Sequence, residues 1–286
     1  MASFIELKDG RKLYYQLSGP SSSPIVLLSN SLGSPYATWD HFVPHLQALN
    51  LQVLRYDQIG HGQSTANPST VDATTFNDLS DDVKQLISSL KIEKLYAWIG
   101  ISMGAATGII FCSENPGVVE RLVICDTISA SPNAVGADDA FEARVSAARS
   151  AGRMETIVEQ TLARWFTEEW RKANENEVER MRGIMMGTQV EGFAACCRAI
   201  QKKEFDLRPL FRKVGGGVEK CLLVVGEKDA NLPETMETMR KEIQEGFEKV
   251  GKNEQINMVV IGRAGHVSVV DGLEEYAEAV TKFLKA

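Results

Sequence analysis

The chain has 286 residues, of which 44% are hydrophobic and 24% charged, a composition typical of a soluble globular protein with one large or two small domains. It carries 31 Lys and Arg against 38 Asp and Glu, so its net charge is -7. No basic surplus exists for nucleic-acid phosphates or anionic lipid, and no apolar run is long enough to span a bilayer. The start of the chain lacks the pattern of a secretory signal, so we expect a cytoplasmic, unprocessed protein with no nucleic-acid or membrane partner.

The cysteines are odd in number, lie in apolar segments and show no CxxC spacing. This pattern favours free buried thiols over a disulfide framework or a zinc site. The five cysteines are Cys112, Cys125, Cys196, Cys197 and Cys221.

Hydrophobic patterning predicts strands that alternate with helices. The predicted strands cover residues 4–8, 12–17, 25–28, 51–54, 95–99, 121–125, 220–225 and 256–261. A capping box at 75–78 begins one helix, and others are predicted at 39–49, 234–250 and 272–284. This alternation predicts an α/β fold with a mostly parallel sheet of eight strands flanked by helices.

Strand-like runs are missing between about residues 131 and 208, where apolar residues recur at helical spacing. We therefore predict a sheet core of residues 1–131 and 209–286 with an inserted helical cap (lid) at 132–208. Pro209 and the glycine run 215–217 are interpreted as the return to the sheet.

The pentapeptide Gly100-Ile101-Ser102-Met103-Gly104 lies between a predicted strand and a helix-compatible segment. A serine on such a tight turn takes a strained conformation, which exposes its hydroxyl above the sheet, and glycines leave room for the turn. Its position at a helix N-terminus favours developing negative charge. Ser102 is therefore the predicted nucleophile.

A serine nucleophile needs a base, and the chain has only four histidines. His41 and His45 belong to a predicted helix and are interpreted as solvated or packed residues. His61 is expected to shape a glycine-rich loop through hydrogen bonds. His266 directly follows the last predicted strand, on the same edge of the sheet as Ser102, and is the predicted general base.

Two acids end strands on that edge and could orient the histidine. Asp229 lies after the penultimate strand and gives the chain order Ser, Asp, His, so we favour it. Asp126, which ends the strand at 121–125, is the alternative acid. The oxyanion hole is expected to use the backbone N–H groups of Met103, after the nucleophile, and Leu32, in the loop after the third strand.

With these residues placed, the chain resembles the α/β-hydrolase superfamily and, within it, the 3-oxoadipate enol-lactonase family. The resemblance is carried by the S-N-S-L-G stretch at 29–33, the R-Y-D and G-H-G-Q-S segments at 55–64, and two cap segments at 164–167 and 191–200. It spans nearly the whole chain. Two positions depart from the family pattern: Ile59 stands where arginine is usual, and Asp126 where asparagine is expected.

The resemblance implies a small-molecule lactone or ester substrate and a serine-type hydrolase that needs no metal or organic cofactor. If the substrate carries a carboxylate, a cap arginine should bind it. The cap offers Arg144, Arg149, Arg164 and Arg198, of which Arg164 is the predicted substrate-binding residue, together with Trp165 as a pocket wall. The alternatives are a carboxylesterase, another metabolite lactonase, a C–C bond hydrolase, or a non-catalytic ligand-binding protein of this fold.

Overall fold

The computed structural model describes residues 2–136 and 138–286, and one eight-stranded sheet forms its centre. In space the strands follow the order β1-β2-β4-β3-β5-β6-β7-β8. Strand β2 runs antiparallel to both of its neighbours, and the other neighbouring strands are parallel. The strands are β1 (Ala2–Glu6), β2 (Lys12–Ser18), β3 (Ile25–Ser29), β4 (Gln52–Tyr56), β5 (Leu95–Ile101), β6 (Val119–Cys125), β7 (Lys220–Gly226) and β8 (Asn257–Ile261).

The central strands are continuously apolar because helices cover both faces of a parallel sheet. Leu27 on β3 lies in register between Leu54 on β4 and Trp98 on β5, and all three side chains have no exposed surface. The predicted strands agree with the observed ones to within two residues at most ends. The predicted fold class, a mostly parallel sheet with flanking helices, is confirmed.

Helices that pack around this sheet fall into two groups. One group contains α2 (Phe76–Ser89), α3 (Met103–Glu114), α10 (Arg208–Gly217) and α11 (Leu232–Lys249), and the other pairs α1 (Val43–Gln47) with α13 (Leu273–Lys285). The predicted capping box is present at the start of α2, where the Thr75 and Asp78 side chains each accept the other residue's backbone N–H.

The glycine run at 215–217, interpreted as the return to the sheet, forms the last turn of α10 and directly precedes β7. A Cβ at Gly215 would lie 2.5 Å from the backbone carbon of Gly246 on α11. Glycine is needed here because it lets α10 approach α11 closely. The prediction of one continuous helix at 39–49 is wrong. The structure has a 3₁₀ turn at Tyr36–Trp39 and a separate helix α1 with Pro44 in its first turn.

Between β6 and α10 the chain runs through the predicted cap segment, residues 132–208. Its described part consists of helices joined by short loops, and an isolated bridge joins Asp206 to Ala130, just before the segment. The helices are α4 (Pro132–Val135), α5 (Ala140–Ala151), α6 (Glu155–Trp165), α7 (Glu168–Ala173), α8 (Glu175–Met185) and α9 (Val190–Gln201). After β8, a short helix α12 (Ser268–Asp271) precedes α13.

All five cysteines are buried and free, as the sequence predicts. Across 2–136 and 138–286, no helix combines the length and apolarity needed to cross a bilayer.

Candidate active site

Ser102 lies in a sharp turn between the end of β5 and the start of α3. Its φ of 53° and ψ of -113° place it in the left-handed half of backbone space, which a non-glycine residue rarely adopts. The turn is held because Ser102 N donates to the Cys125 carbonyl at 2.7 Å and the Thr127 hydroxyl donates to the Ser102 carbonyl at 2.9 Å. The strained turn predicted around Ser102 is thus present.

Gly104 explains why the pentapeptide needs its second glycine. A Cβ at this position would lie 2.3 Å from the backbone oxygen of Ser29 on β3. A Cβ at Gly100 would lie 2.4 Å from the backbone of Gly104. Any side chain at either position would push α3 away from the sheet and displace Ser102.

His266 and Asp229 form a buried hydrogen-bonded pair beyond the ends of β8 and β7. The distance between His266 Nδ1 and Asp229 Oδ2 is 2.7 Å, with both side chains less than 10% exposed. Burial lowers the pKa of His266, and the hydrogen bond and charge of Asp229 oppose this effect. A neutral imidazole whose Nδ1–H faces a carboxylate leaves Nε2 free to accept a proton, which suits a general base.

Asp126, the alternative acid, makes no hydrogen bond with His266 within the described residues. Its Oδ1 accepts from Gly226 N at 2.8 Å and its Oδ2 accepts from the Ser268 hydroxyl at 2.9 Å. Of the two acids, therefore, Asp229 is the one in contact with the imidazole. Asp126 lies beside the pair, entirely buried.

The loop after β3 is fixed from below by His61. His61 Nε2 accepts from Gly33 N at 2.9 Å, while Nδ1 donates to the Ile59 carbonyl at 2.8 Å. Burial lowers the pKa of His61 to about 4, so the ring is neutral and Nε2 can accept. The prediction that His61 shapes its own glycine-rich loop through hydrogen bonds is confirmed by the bond to Ile59. The bond from Gly33 also holds the neighbouring Leu32 in place.

A cavity lies above Ser102. Its volume of about 70 Å³ exceeds the roughly 10–15 Å³ that one water molecule requires. Ser102, His266, Leu32 and Met103 all line it. Met103 is the first residue of α3, where backbone N–H groups have no partner inside the helix. The remaining wall is largely apolar and consists of Ser31, Phe76, Ala106, Thr127, Ile128, Phe141, Arg164, Ile200 and Phe205.

A family model for the alpha/beta hydrolase fold matches residues 24–273 of the chain. This protein belongs to the α/β-hydrolase family. It is similar to 3-oxoadipate enol-lactonase 1 from Acinetobacter baylyi, with 28% identity over 282 residues that cover 98% of this chain and 95% of the relative.

Two solved structures resemble this hydrolase along their whole length. The enol-lactonase from Burkholderia xenovorans LB400 superposes with a TM-score of 0.85 at 27% identity, covering 99% of this chain and all of the other. A hydrolase from Pseudomonas aeruginosa PA01 gives the same TM-score at 28% identity, covering all of this chain and 98% of the other. These similarities support the predicted cofactor-independent ester or lactone hydrolase.

Arg164 is the one arginine on the cavity wall of this hydrolase, judged over the residues that the structure describes. It lies in the last turn of α6 and is exposed. Desolvation of the guanidinium by the surrounding protein, with the charge of Arg144 as a second cause, lowers the pKa of Arg164 to about 10. The side chain is therefore cationic at neutral pH. Across 2–136 and 138–286, no carboxylate or hydrogen-bond acceptor contacts its guanidinium.

The other arginines that the sequence offered for substrate binding are occupied. Arg149 pairs with Glu191, and Arg198 pairs with Asp72 and Glu142. Arg144 donates to the Thr161 hydroxyl at 2.7 Å and lies over the Phe193 ring. Among the described residues, Arg164 therefore differs from the other three in having an unpaired guanidinium on the wall of the cavity that Ser102 also lines.

Trp165 was predicted as a pocket wall, and the structure places it elsewhere. It is 1% exposed and is not among the described residues that line the cavity, because its indole turns toward His266, with ring centroids 6.0 Å apart. Its backbone carbonyl accepts from His266 N at 2.9 Å. Trp165 thus packs against His266 and is not among the described residues on the cavity wall.

Several site features were not found from the sequence. Asp271 Oδ2 accepts from Gly265 N at 2.6 Å and fixes the residue before His266, but nothing in the helical pattern of 268–284 distinguishes this acid. Phe76, Phe141 and Phe205 form cavity walls, although their spacing matches ordinary core residues. His41 lies in a turn beside Glu177, and His45 stacks on Phe42, so neither takes part in the site.

Proposed function

We propose that this hydrolase opens a small enol-lactone that carries a carboxylate, through a Ser102–His266–Asp229 triad and an acyl-enzyme. The observation that carries the proposal is the unpaired guanidinium of Arg164 on the wall of the cavity that Ser102 and His266 also line. A guanidinium binds a carboxylate through two parallel N–H donors. The resemblance of the whole chain to 3-oxoadipate enol-lactonases supports the choice of lactone.

The first half of the reaction attaches the substrate to the serine. His266 Nε2 takes the Ser102 proton while the Oγ attacks the ring carbonyl, and the N–H groups of Leu32 and Met103 hold the oxyanion. The tetrahedral intermediate then collapses and breaks the ring C–O bond. The leaving enolate accepts the proton from His266 and tautomerises to a ketone.

The second half releases the product. His266 takes a proton from water, the hydroxide attacks the acyl carbon, and the Ser102 oxygen leaves and regains the proton. Asp229 holds the imidazole in the tautomer with Nδ1–H and stabilises the imidazolium in both halves. Every group that the sequence of steps requires belongs to the chain, the substrate or water.

The proposal is tested by measuring hydrolysis of 3-oxoadipate enol-lactone beside a neutral p-nitrophenyl ester. We expect kcat/KM for the anionic lactone to exceed that for the ester, and Ser102→Ala to abolish both activities. Ser113→Ala, at the other end of α3, is the matched control, because its hydroxyl only donates to the Ile109 carbonyl in its own helix. Activity on neutral esters alone would indicate a carboxylesterase, and turnover that survives Ser102→Ala would contradict the nucleophile.

A further inference from the structure

Asp126 is a buried carboxyl group that the proposed reaction does not use. It follows β6 directly, with a φ of 48° and no exposed surface, and its N–H donates to the Val224 carbonyl on β7 at 3.1 Å. A non-glycine residue in this conformation stores strain, which persists only where surrounding contacts hold it. The carboxyl group is therefore fixed in position by its own backbone.

The two carboxyl oxygens contact the two segments that carry the acid and the base. Gly226, which donates to Oδ1, lies three residues before Asp229. Ser268, which donates to Oδ2 from its hydroxyl and, at 3.4 Å, from its backbone N–H, lies two residues after His266. On the other side of His266, Lys228 N donates to the Ala264 carbonyl at 2.8 Å. Two sets of hydrogen bonds therefore join the segment around His266 to the segment around Asp229. One joins Ala264 to Lys228 directly, before the histidine, and the other joins Ser268 to Gly226 through Asp126, after it.

These contacts are hydrogen bonds and not ion pairs. Within the described residues no Lys, Arg or His forms an ion pair with Asp126, and the titratable groups near it are Asp229, Cys125 and Tyr276. Burial, with the charge of Asp229 as a second cause, raises the pKa of Asp126 well above its usual range. In size and in the placement of its two polar atoms, the carboxyl group matches an asparagine amide.

We infer that Asp126 is a positioning residue: by hydrogen bonding to Gly226 and Ser268 at once, it holds His266 at bonding distance from Asp229. The inference rests on the proposed triad. It predicts that asparagine can replace Asp126, because its amide oxygen would accept from Gly226 and its NH₂ would donate to the Ser268 hydroxyl, with loss of only the long contact to Ser268 N. Alanine would remove all three bonds.

The test compares Asp126→Asn, Asp126→Ala and Ser268→Ala with p-nitrophenyl acetate as substrate. We expect kcat of the asparagine variant to stay within about threefold of the unaltered enzyme. Loss of these buried hydrogen bonds should lower kcat of the alanine variant by about 10- to 100-fold with KM nearly unchanged. Ser268→Ala, which removes one bond, should fall between them.

A second measurement does not depend on turnover. The His266 Nδ1 proton shared with Asp229 should give a low-field proton NMR signal, assigned by its loss in His266→Gln. The signal should be retained in Asp126→Asn and should weaken or shift in Asp126→Ala. If the enzyme shows this signal and hydrolyses p-nitrophenyl acetate but not the enol-lactone, the substrate proposal fails and the positioning role stands.

Two results would overturn the inference. An asparagine variant as slow as the alanine variant would mean that the charge of Asp126 is needed. Unchanged kcat and an unchanged His266 signal in the alanine variant would mean that Asp126 only fills space. If Asp126→Ala does not fold, Ser268→Ala decides the matter, since an unaltered signal and kcat in that variant would equally refute the positioning role.

Discussion

Replacing Arg164 with methionine tests whether its guanidinium binds a substrate carboxylate. Methionine keeps an unbranched chain of similar length and removes the charge. A hydrogen bond to a charged group contributes about 1.5–3 kcal/mol, and a carboxylate would accept two from the guanidinium fork. Because Arg164 is exposed and partly screened by solvent, we reduce the sum of about 3–6 kcal/mol to about 2–4 kcal/mol. This corresponds to a 30- to 1,000-fold fall in kcat/KM for an anionic lactone.

The same substitution should leave the folded protein intact. No described residue accepts a hydrogen bond from Arg164, so its removal leaves no partner unsatisfied, and Tm should not fall. Hydrolysis of a neutral ester should change by less than threefold, since such a substrate offers no carboxylate. The loss should appear chiefly in KM if the carboxylate is bound equally in the ground and transition states.

Steady-state kinetics on the anionic lactone and on a neutral ester, with Arg149→Met as control, provide the assay. Arg149 also lies on a cap helix, but its guanidinium is paired with Glu191, so this control should retain full activity on both substrates. Equal losses on both substrates in Arg164→Met would refute the reasoning, because the arginine would then act on the catalytic groups. Unchanged kinetics on the lactone would refute it as well.

Further predictions concern the groups that hold the site together. Asp229→Asn should lower kcat by about 10³- to 10⁴-fold while the protein stays folded, because the amide no longer selects the tautomer of the imidazole; a loss below tenfold in ester hydrolysis would contradict this role. The pKa of His61 falls from 6.5 to about 4 on folding, so the folded state binds fewer protons between these values and stability decreases as pH falls through that window, by about 3 kcal/mol. Urea unfolding at pH 7 and pH 4.5 should show this decrease in the free energy of unfolding, and His61→Gln should make the decrease smaller. An equal decrease in both proteins would exclude His61 as its source. Gly265→Ala would place a Cβ 1.9 Å from the Trp165 carbonyl and should destabilise the fold by about 2–4 kcal/mol in the same assay, whereas Gly216→Ala, with open space around its Cβ, should be neutral or stabilising.

The sheet and the nucleophile turn could be predicted from the sequence because both depend on local patterns. Continuous apolar runs identify buried parallel strands, and a serine between two glycines at a strand-to-helix junction has few other uses. The order of strands along the chain then placed Ser102, Asp229 and His266 at one edge. Some residue types have two uses: the glycines at 215–217 directly precede β7, as expected for the return to the sheet, but they also belong to α10 and permit its close packing.

Contacts between distant segments could not be predicted in this way. Asp126 and Asp229 both end strands at the same edge, and only the three-dimensional structure shows which carboxyl group meets His266. Among the four cap arginines, Arg164 differs in having no hydrogen-bond or ion-pair partner among the described residues. A missing contact of this kind leaves no pattern in the sequence. The orientation of Trp165 likewise depends on packing against a loop about 100 residues further along the chain.

The hydrogen bond from His266 N to the Trp165 carbonyl restricts how this enzyme can be redesigned. Exchanging the helical insertion for one from a relative, as a way to change specificity, would also exchange a backbone support of the base. In a chimera, a backbone carbonyl at the end of the transplanted helix would have to accept from His266 N, and residue 265 would have to remain glycine. The end of α6 and the position of His266 therefore share one backbone contact, and recombination libraries should place their crossovers outside residues 164–166.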